Sequence, residues 1–145
     1  MLNAGHVLTA ASLIFAGALA SGAAQAPPPG KTRPANGLST SIGVYTAAQA
    51  ARGEQTYMNI CVSCHPPGTY TAPVFRQKWD GAPLSQLYGL ISQTMPKMEP
   101  GTLEPEEYAQ VVAYILKING APAGTRPLPA DIEPLEKIRI VLPGR

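Results

Sequence analysis

The chain has few of the residues from which metal sites and disulfide frameworks are built. Its 145 residues include two cysteines, Cys61 and Cys64, and two histidines, His6 and His65. A single cysteine pair is too few for a scaffold that several disulfides hold together. A structural zinc site needs a second pair of ligands besides the two cysteines. Apart from His65, the sequence offers only one further histidine, His6, which lies in the apolar N-terminal segment. The sequence therefore disfavours both kinds of site.

Aromatic residues and net charge are also scarce. Aromatic side chains make up 6% of the residues, so a core built from protein alone would be thin, and a bound apolar group would supply the missing mass. The formal net charge is +2, which is too small for a basic face that binds nucleic acid. By contrast, 16 prolines and 14 glycines predict a loop-rich fold with short regular elements.

The N-terminal segment is apolar and free of charged side chains. Residues 7–26 are almost wholly apolar or small and end in AQA, an A-x-A cleavage pattern, although no lysine or arginine precedes them. This pattern predicts a signal peptide over residues 1–26, a mature chain that begins at Pro27, and export to the periplasm. The apolar run is almost long enough to span a bilayer, so a retained membrane anchor is the alternative.

Composition divides the rest of the chain into three parts. Residues 27–45 are rich in Pro, Gly, Ser and Thr and have no apolar period, which predicts an extended N-terminal arm. Residues 46–120 contain the helical patterns and are predicted to form one domain. Residues 121–145 are again Pro-rich, with a short apolar run near their end, and are predicted to form a tail.

Helical patterns within the domain predict an all-α fold. A T-x-x-Q capping box at Thr46 begins the first helix, whose apolar face leads into Cys61. A short helix is expected around residues 83–92, and the clearest helix over residues 105–118, with proline at its start and Asn-Gly after its end. The chain between Pro66 and Pro83 is expected to be irregular. We therefore predict three or four short helices around one bound group.

The segment CVSCH, which ends at His65, is the motif that carries the chemistry. Covalent haem attachment needs two thiols spaced to reach two vinyl groups and an imidazole directly after them, and C-x-x-C-H at the end of a helix supplies this arrangement. A thioredoxin-like dithiol would need strands that alternate with helices, which the sequence does not indicate. A disulfide between Cys61 and Cys64 would leave His65 unexplained. The motif predicts one covalent haem c with His65 as an axial iron ligand.

The second axial ligand must come from another part of the chain. If His6 is removed with the signal peptide, no further histidine remains, so a methionine thioether becomes the candidate. Met58 lies inside the first helix and is predicted to be a packing residue. Met95 and Met98 lie in a Pro-rich loop between two helices, where either side chain could reach the open face of the haem.

The sequence resembles the soluble class I monohaem cytochromes c whose second ligand is methionine. It is most similar to small periplasmic ones that accompany quinoprotein alcohol-type dehydrogenases and sulfite-oxidising enzymes. The resemblance covers most of residues 45–140 and implies the cytochrome c fold. It rests on three stretches of sequence, the last of them a looser match: YTAAQAARGEQTYMNICVSCH, TMPKMEPGTLEPEEYAQVVAYILKINGAPAG and LPADIEPLEKIRI.

The resemblance also implies roles for individual residues. Met95, the methionine before a proline, would be the axial ligand, with Met98 as the alternative. The carbonyl of Pro73 would accept a hydrogen bond from the ring of His65 and fix its orientation. Trp79 would lie near a haem propionate, where its indole N–H finds an acceptor, or would be an ordinary core residue.

The first and last helices of such proteins cross closely beside the haem. By this resemblance Gly53 and Tyr57 would meet Val111 and Tyr114. Gly53 would then serve helix packing, which would explain a residue that weakens a helix by about 1 kcal/mol relative to alanine.

The function that follows is outer-sphere transfer of single electrons, with a periplasmic dehydrogenase as donor and a terminal oxidase or another cytochrome as acceptor. No acid–base pair and no nucleophile with its base is evident, so an enzyme is not predicted.

One alternative is a tightly bound haem subunit of a dehydrogenase, with the arm and tail wrapping the partner. The other is a gas- or peroxide-binding haem protein with an open sixth site. A nucleic-acid partner is not expected, and membrane contact is expected only if the anchor is retained.

Overall fold

The computed structural model describes residues 37–143 of the chain. The predicted signal peptide and the cleavage site before Pro27 lie outside the described residues, as do the last two residues. No helix in the described part combines the length and apolar character that crossing a membrane requires.

Helices dominate the described residues, and the predicted all-α class is confirmed. Six α-helices form here in place of the three or four predicted, and one pair of two-residue strands accompanies them. A 3₁₀ turn spans Thr40–Ile42, and a π-helical turn spans Tyr57–Cys61. The helices and strands are β1 Leu38–Ser39, α1 Ala47–Thr56, α2 Gly68–Thr71, α3 Pro73–Trp79, α4 Leu84–Thr94, α5 Pro105–Ile118, α6 Ile132–Glu136 and β2 Ile138–Arg139.

The predicted start of α1 is confirmed at Thr46, but only one half of the capping box forms. The Thr46 hydroxyl accepts a hydrogen bond of 3.1 Å from the Gln49 N–H. The Gln49 side chain instead bonds both main-chain groups of Leu128, donating to its carbonyl at 2.9 Å and accepting from its N–H at 2.7 Å. Gln49 therefore joins α1 to the C-terminal part of the chain.

Helix α5 begins and ends where the sequence predicts. Glu104 occupies the capping position, where a carboxylate favours the helix dipole but caps less commonly than Ser or Thr. The Glu107 side chain accepts a hydrogen bond of 3.0 Å from the Glu104 N–H, which satisfies a main-chain donor at the helix start. At the other end Gly120 has φ +82°, a left-handed conformation that glycine adopts without strain and that stops the helix.

The expected close crossing of α1 and α5 is present. A Cβ atom added to Gly53 would lie 1.8 Å from the carbonyl oxygen of Gln110, so only glycine allows the two helix backbones to approach this far. One turn beyond Gly53, at the start of the π-helical turn, the ring of Tyr57 packs on that of Tyr114 with centroids 5.0 Å apart. Gly53 therefore has the packing role that the resemblance implied.

The expectation of irregular chain between Pro66 and Pro83 is wrong, because this segment contains the short helices α2 and α3. Pro73 begins α3, where its missing N–H costs no helical hydrogen bond. Phe75 and Trp79, one helical turn apart, are both buried. The Pro-Pro-Gly and Asp-Gly sequences flank α3, and burial of Phe75 and Trp79 stabilises the helix that forms between those two sequences. Helix α4 also extends two residues beyond the predicted end, to Thr94.

The described parts of the predicted arm and tail pack on the same core as the domain. Strand β1 pairs in parallel with β2, and Leu38 is aligned with Ile138. The hydroxyl of Thr40, which is fully buried, donates to the carbonyl of Val141 and accepts from its N–H, both at 2.8 Å. Six apolar residues of the C-terminal segment are buried: Ala121, Leu128, Leu135, Ile138, Ile140 and Leu142. Boundaries at 46 and 120 therefore do not separate independent parts of the described structure.

Replacing Gly53 with alanine is expected to destabilise the protein severely. The added Cβ collides with main-chain atoms of Gln110, which cannot rotate away, so we expect a loss of about 3 kcal/mol in the free energy of unfolding. Gly68→Ala is the matched control, because a Cβ there meets nothing within 4 Å and should change stability by less than about 0.5 kcal/mol. Denaturant unfolding of both variants measures the difference. Equal midpoints would contradict the close crossing.

Candidate functional site

The C-x-x-C-H motif lies where α1 ends. Helix α1 passes into the π-helical turn, whose last residue is Cys61. The N–H groups of Cys64 and His65 both bond the carbonyl of Cys61, at 3.2 and 2.9 Å, so the motif forms one tight turn. The two cysteines form no disulfide with each other, and Cys61 is half-buried whereas Cys64 is exposed. Burial raises the pKa of the Cys61 thiol, because desolvation disfavours the thiolate.

A cavity of about 200 Å³ opens beside this turn. Its lining comes from the motif turn, from α2, from the end of α4 with the loop after it, and from α5. The lining residues are Tyr57, Ile60, Cys61, Ser63, Cys64, His65, Tyr70, Ile91, Met95, Pro96, Lys97, Met98, Val111 and Ile115. The structure therefore brings the three motif residues together with both loop methionines, although thirty residues separate His65 from Met95.

His65 is held by aromatic residues on its own side of the cavity. The hydroxyl of Tyr57 donates a hydrogen bond to the main-chain carbonyl of His65. The rings of His65 and Tyr70 pack with centroids 5.7 Å apart. The side chain of Asn119, at the end of α5, donates to the carbonyl of Tyr70 at 2.8 Å and so fixes α2 against α5. Tyr70 lies in the segment expected to be irregular, so no sequence signal placed it at the site.

Met95 lies at the C-terminal end of α4 with extended backbone angles, φ −127° and ψ 150°. The sequence predicts this conformation, because Pro96 disfavours helical angles for the residue before it. The Met95 N–H bonds the carbonyl of Ile91 at 2.9 Å, and the Met95 carbonyl accepts from the Tyr108 hydroxyl at 2.7 Å. The Met95 side chain is partly buried against the core and lines the cavity.

The other two methionines differ from Met95 in exposure. Met98 also borders the cavity, but 89% of its surface is exposed to solvent. Met58, predicted to be a packing residue, lies on the π-helical turn and is 51% exposed. The half-buried Met95 thus has the more constrained position of the two loop methionines.

Pro73 and Trp79 are not part of the cavity wall among the residues that the structure describes. Pro73 is exposed in the first turn of α3. Trp79 ends the same helix, is 7% exposed and packs on Phe75 with ring centroids 6.2 Å apart. The position of Trp79 is that of a core residue, which was the alternative to a propionate contact. The roles of both residues toward a haem stay predictions.

The donor set at the cavity fits haem c and does not fit zinc. Two thiols and an imidazole lie in one turn beside a largely apolar cavity, and a partly buried thioether lines the same cavity from another segment. Within residues 37–143, no cluster of three or more His, Cys, Asp or Glu side chains is placed to hold a metal ion. Cys61 and Cys64 would hold the haem vinyl groups, and His65 would hold the iron from one side.

Comparison with known proteins supports this interpretation. Residues 48–115 match the model of a family described as cytochrome C oxidase, cbb3-type, subunit III, which is a c-type cytochrome domain. The matched range runs from the first turn of α1 through most of α5 and includes the motif and both loop methionines. No curated protein and no solved structure matches the chain.

Replacing either motif cysteine with alanine is expected to remove most of the mature holoprotein. Each thiol supplies one of the two covalent attachments, and the bound group fills the cavity beside Tyr57, Val111 and Ile115. Ser63→Ala is the matched control, because Ser63 lies between the cysteines and lines the same cavity. Haem staining of denaturing gels and the far-UV circular dichroism of each variant measure attachment and folding. A well-folded, haem-free monomer from the double cysteine variant would contradict the prediction that the haem supports the core.

Proposed function

Since the chain is a monohaem c-type cytochrome, with one covalently bound haem c, we propose that it carries single electrons between periplasmic proteins, with His65 and Met95 as the two axial ligands. The observation that carries the proposal is the assembly of these two side chains at one cavity from separate segments of the chain. An imidazole and a thioether are the ligand pair that favours electron transfer at a raised reduction potential.

A bound haem c supplies the exchange of one electron, and the residues of this chain hold it and exclude water. Val111 and Ile115 of α5 and Ile91 of α4 supply apolar wall to the cavity. Tyr57 and Tyr70 are the hydroxyl-bearing rings of the lining, and burial raises the pKa of both. Both hydroxyls stay neutral at pH 7, so the arrival of an electron does not require them to exchange a proton. The family is one of electron carriers rather than enzymes.

The edge of the cavity near the two cysteines is the proposed place of electron exchange. Cys64 is exposed there, and two apolar residues that line the same cavity are also accessible, Ile60 at 41% and Met98 at 89%. A partner that docks over this edge would approach the haem without any movement of the fold. Because rates of electron transfer depend on close approach, this edge is the natural exit.

We place the protein in the periplasm on the strength of two observations. Proteins of the c-type cytochrome class are typically exported, and residues 1–26 have the pattern of a signal peptide. Retention of that segment as a membrane anchor is the alternative.

The proposed donor is a periplasmic dehydrogenase, of the quinoprotein alcohol-type or sulfite-oxidising class, and the proposed acceptor is a terminal oxidase or another cytochrome. The alternative of a tightly bound haem subunit requires that the predicted arm and tail are free to wrap a partner. Residues 37–45 and 121–143 instead pack on this chain's own core, which favours the free carrier. The matched family is itself described as a subunit of an oxidase, so co-purification of a larger protein in equal amount would favour the subunit.

Met95→Ala is expected to lower the reduction potential and to let cyanide or CO bind readily. Loss of a thioether ligand removes its preference for the reduced iron and leaves one face of the haem open. Met98→Ala is the matched control, since its exposed side chain should contribute less than about 0.5 kcal/mol to stability and nothing to ligation. The far-red methionine–iron band of the ferric protein and CO binding are the measurements. If Met98→Ala loses the band while Met95→Ala keeps it, the two methionines exchange roles.

The mature protein is expected to begin at Pro27. The AQA sequence after an apolar run is the reason, and intact-mass measurement of the protein from its native membrane or periplasmic fraction decides it. A mass that includes residues 1–26, together with recovery in the membrane fraction, would establish the anchored alternative.

A further inference from the structure

The loop that carries Met95 is closed by one tyrosine hydroxyl. Tyr108 lies on α5, is 3% exposed, and directs its hydroxyl at the loop that precedes the helix. This hydroxyl donates to the Met95 carbonyl at 2.7 Å and accepts from the Leu103 N–H at 3.4 Å. The two contacts lie at opposite ends of the loop, so a single buried group joins its beginning to its end.

His65 and Met95, the two proposed axial ligands, depend to different degrees on hydrogen bonds to their main chains. His65 follows Cys64 directly, so covalent attachment of that cysteine already limits where its imidazole can lie, and the Tyr57 hydroxyl adds a hydrogen bond to its carbonyl. No residue next to Met95 in the sequence is a haem-attaching cysteine. Besides the bond of its own N–H to Ile91, its main chain is held by Tyr108 and by a long contact of 3.4 Å from the Gly101 N–H.

We propose that Tyr108 is a positioning residue for Met95, and that its hydroxyl holds the loop in the conformation in which the thioether faces the cavity. This inference rests on the proposed ligation by Met95. Without the hydroxyl, the Met95 carbonyl would keep only the long contact from Gly101, and the two ends of the loop could separate. The thioether would then leave the iron more often, and an external ligand would compete with it more successfully.

The size of the effect follows from the strength of one hydrogen bond. A net contribution typical of a buried hydrogen bond changes an equilibrium constant by about two- to tenfold. Tyr108→Phe is therefore expected to raise the apparent affinity of the ferric protein for cyanide by about two- to tenfold. The far-red methionine–iron band should weaken on warming at a lower temperature than in the wild-type protein. The ring of Tyr108 remains in the core, so haem content should not change.

Tyr45→Phe provides the matched control. Tyr45 is also buried, at 2% exposure, and its hydroxyl also donates to a main-chain carbonyl, that of Ala121, at 2.6 Å. It is not among the residues that line the cavity. Both variants thus lose a buried hydroxyl of the same kind, and both should unfold at a lower denaturant concentration. Only Tyr108→Phe should change cyanide affinity and the methionine–iron band.

The test is cyanide titration of the intact ferric holoprotein, wild type and both variants, with the far-red spectrum recorded alongside. A rise in cyanide affinity in Tyr108→Phe alone supports the positioning role. Wild-type affinity in Tyr108→Phe, or an equal rise in both variants, overturns it and leaves ligation by Met95 intact. Absence of the methionine–iron band in the wild-type protein would overturn the ligation itself, and the role of Tyr108 with it.

Discussion

The close approach of α1 and α5 at Gly53 is the contact on which the rest of the structure depends. The main chain of Gln110 occupies the space that a side chain at position 53 would need. One turn beyond Gly53, α1 becomes the π-helical turn and then the motif, while α5 contributes Val111 and Ile115 to the cavity. A wider separation of the two helices would move the motif away from the apolar wall that faces it. The geometry of the haem site is therefore set by a contact between two backbones.

Buried tyrosine hydroxyls bond main-chain groups at the site. Main-chain carbonyls of His65 and Met95 accept hydrogen bonds from the buried hydroxyl-bearing residues Tyr57 and Tyr108. Each such bond satisfies a polar group that would otherwise be costly to bury. Lys97 is the one lysine or arginine among the residues that line the cavity in the described part of the chain.

Local signals in the sequence predicted the motif, the first turn of α1 and the whole of α5, because capping residues, proline and a run of helix formers determine those structures over short distances. The same signals failed between Pro66 and Pro83. Proline and glycine there indicate turns, and the burial of Phe75 and Trp79 that stabilises α3 depends on residues distant in sequence. The partner of the Tyr108 hydroxyl was also beyond prediction. Periodicity places Tyr108 on the buried side of α5, but it says nothing about which carbonyl the hydroxyl meets.

The contacts of the predicted arm and tail could not be derived from the sequence for a related reason. Abundant proline suggested an arm and a tail. In the described residues, however, Gln49 of α1 bonds Leu128 of the tail, and Thr40 and Tyr45 of the arm bond Val141 and Gly124 of the tail. Each of these contacts joins residues that are far apart along the chain. A single sequence read in short windows carries no information about such pairs.

The parallel pairing of β1 with β2 has a consequence for the order in which this protein can form. Leu38 and Ser39 find their partners only at Ile138 and Arg139, close to the last described residue. A chain that is synthesised from its N-terminus onward therefore cannot complete this pairing until Arg139 has been made. Contacts between such distant residues also form slowly. The motif at residues 61–65 lies between the two strands along the sequence, so it is made before β1 and β2 can pair.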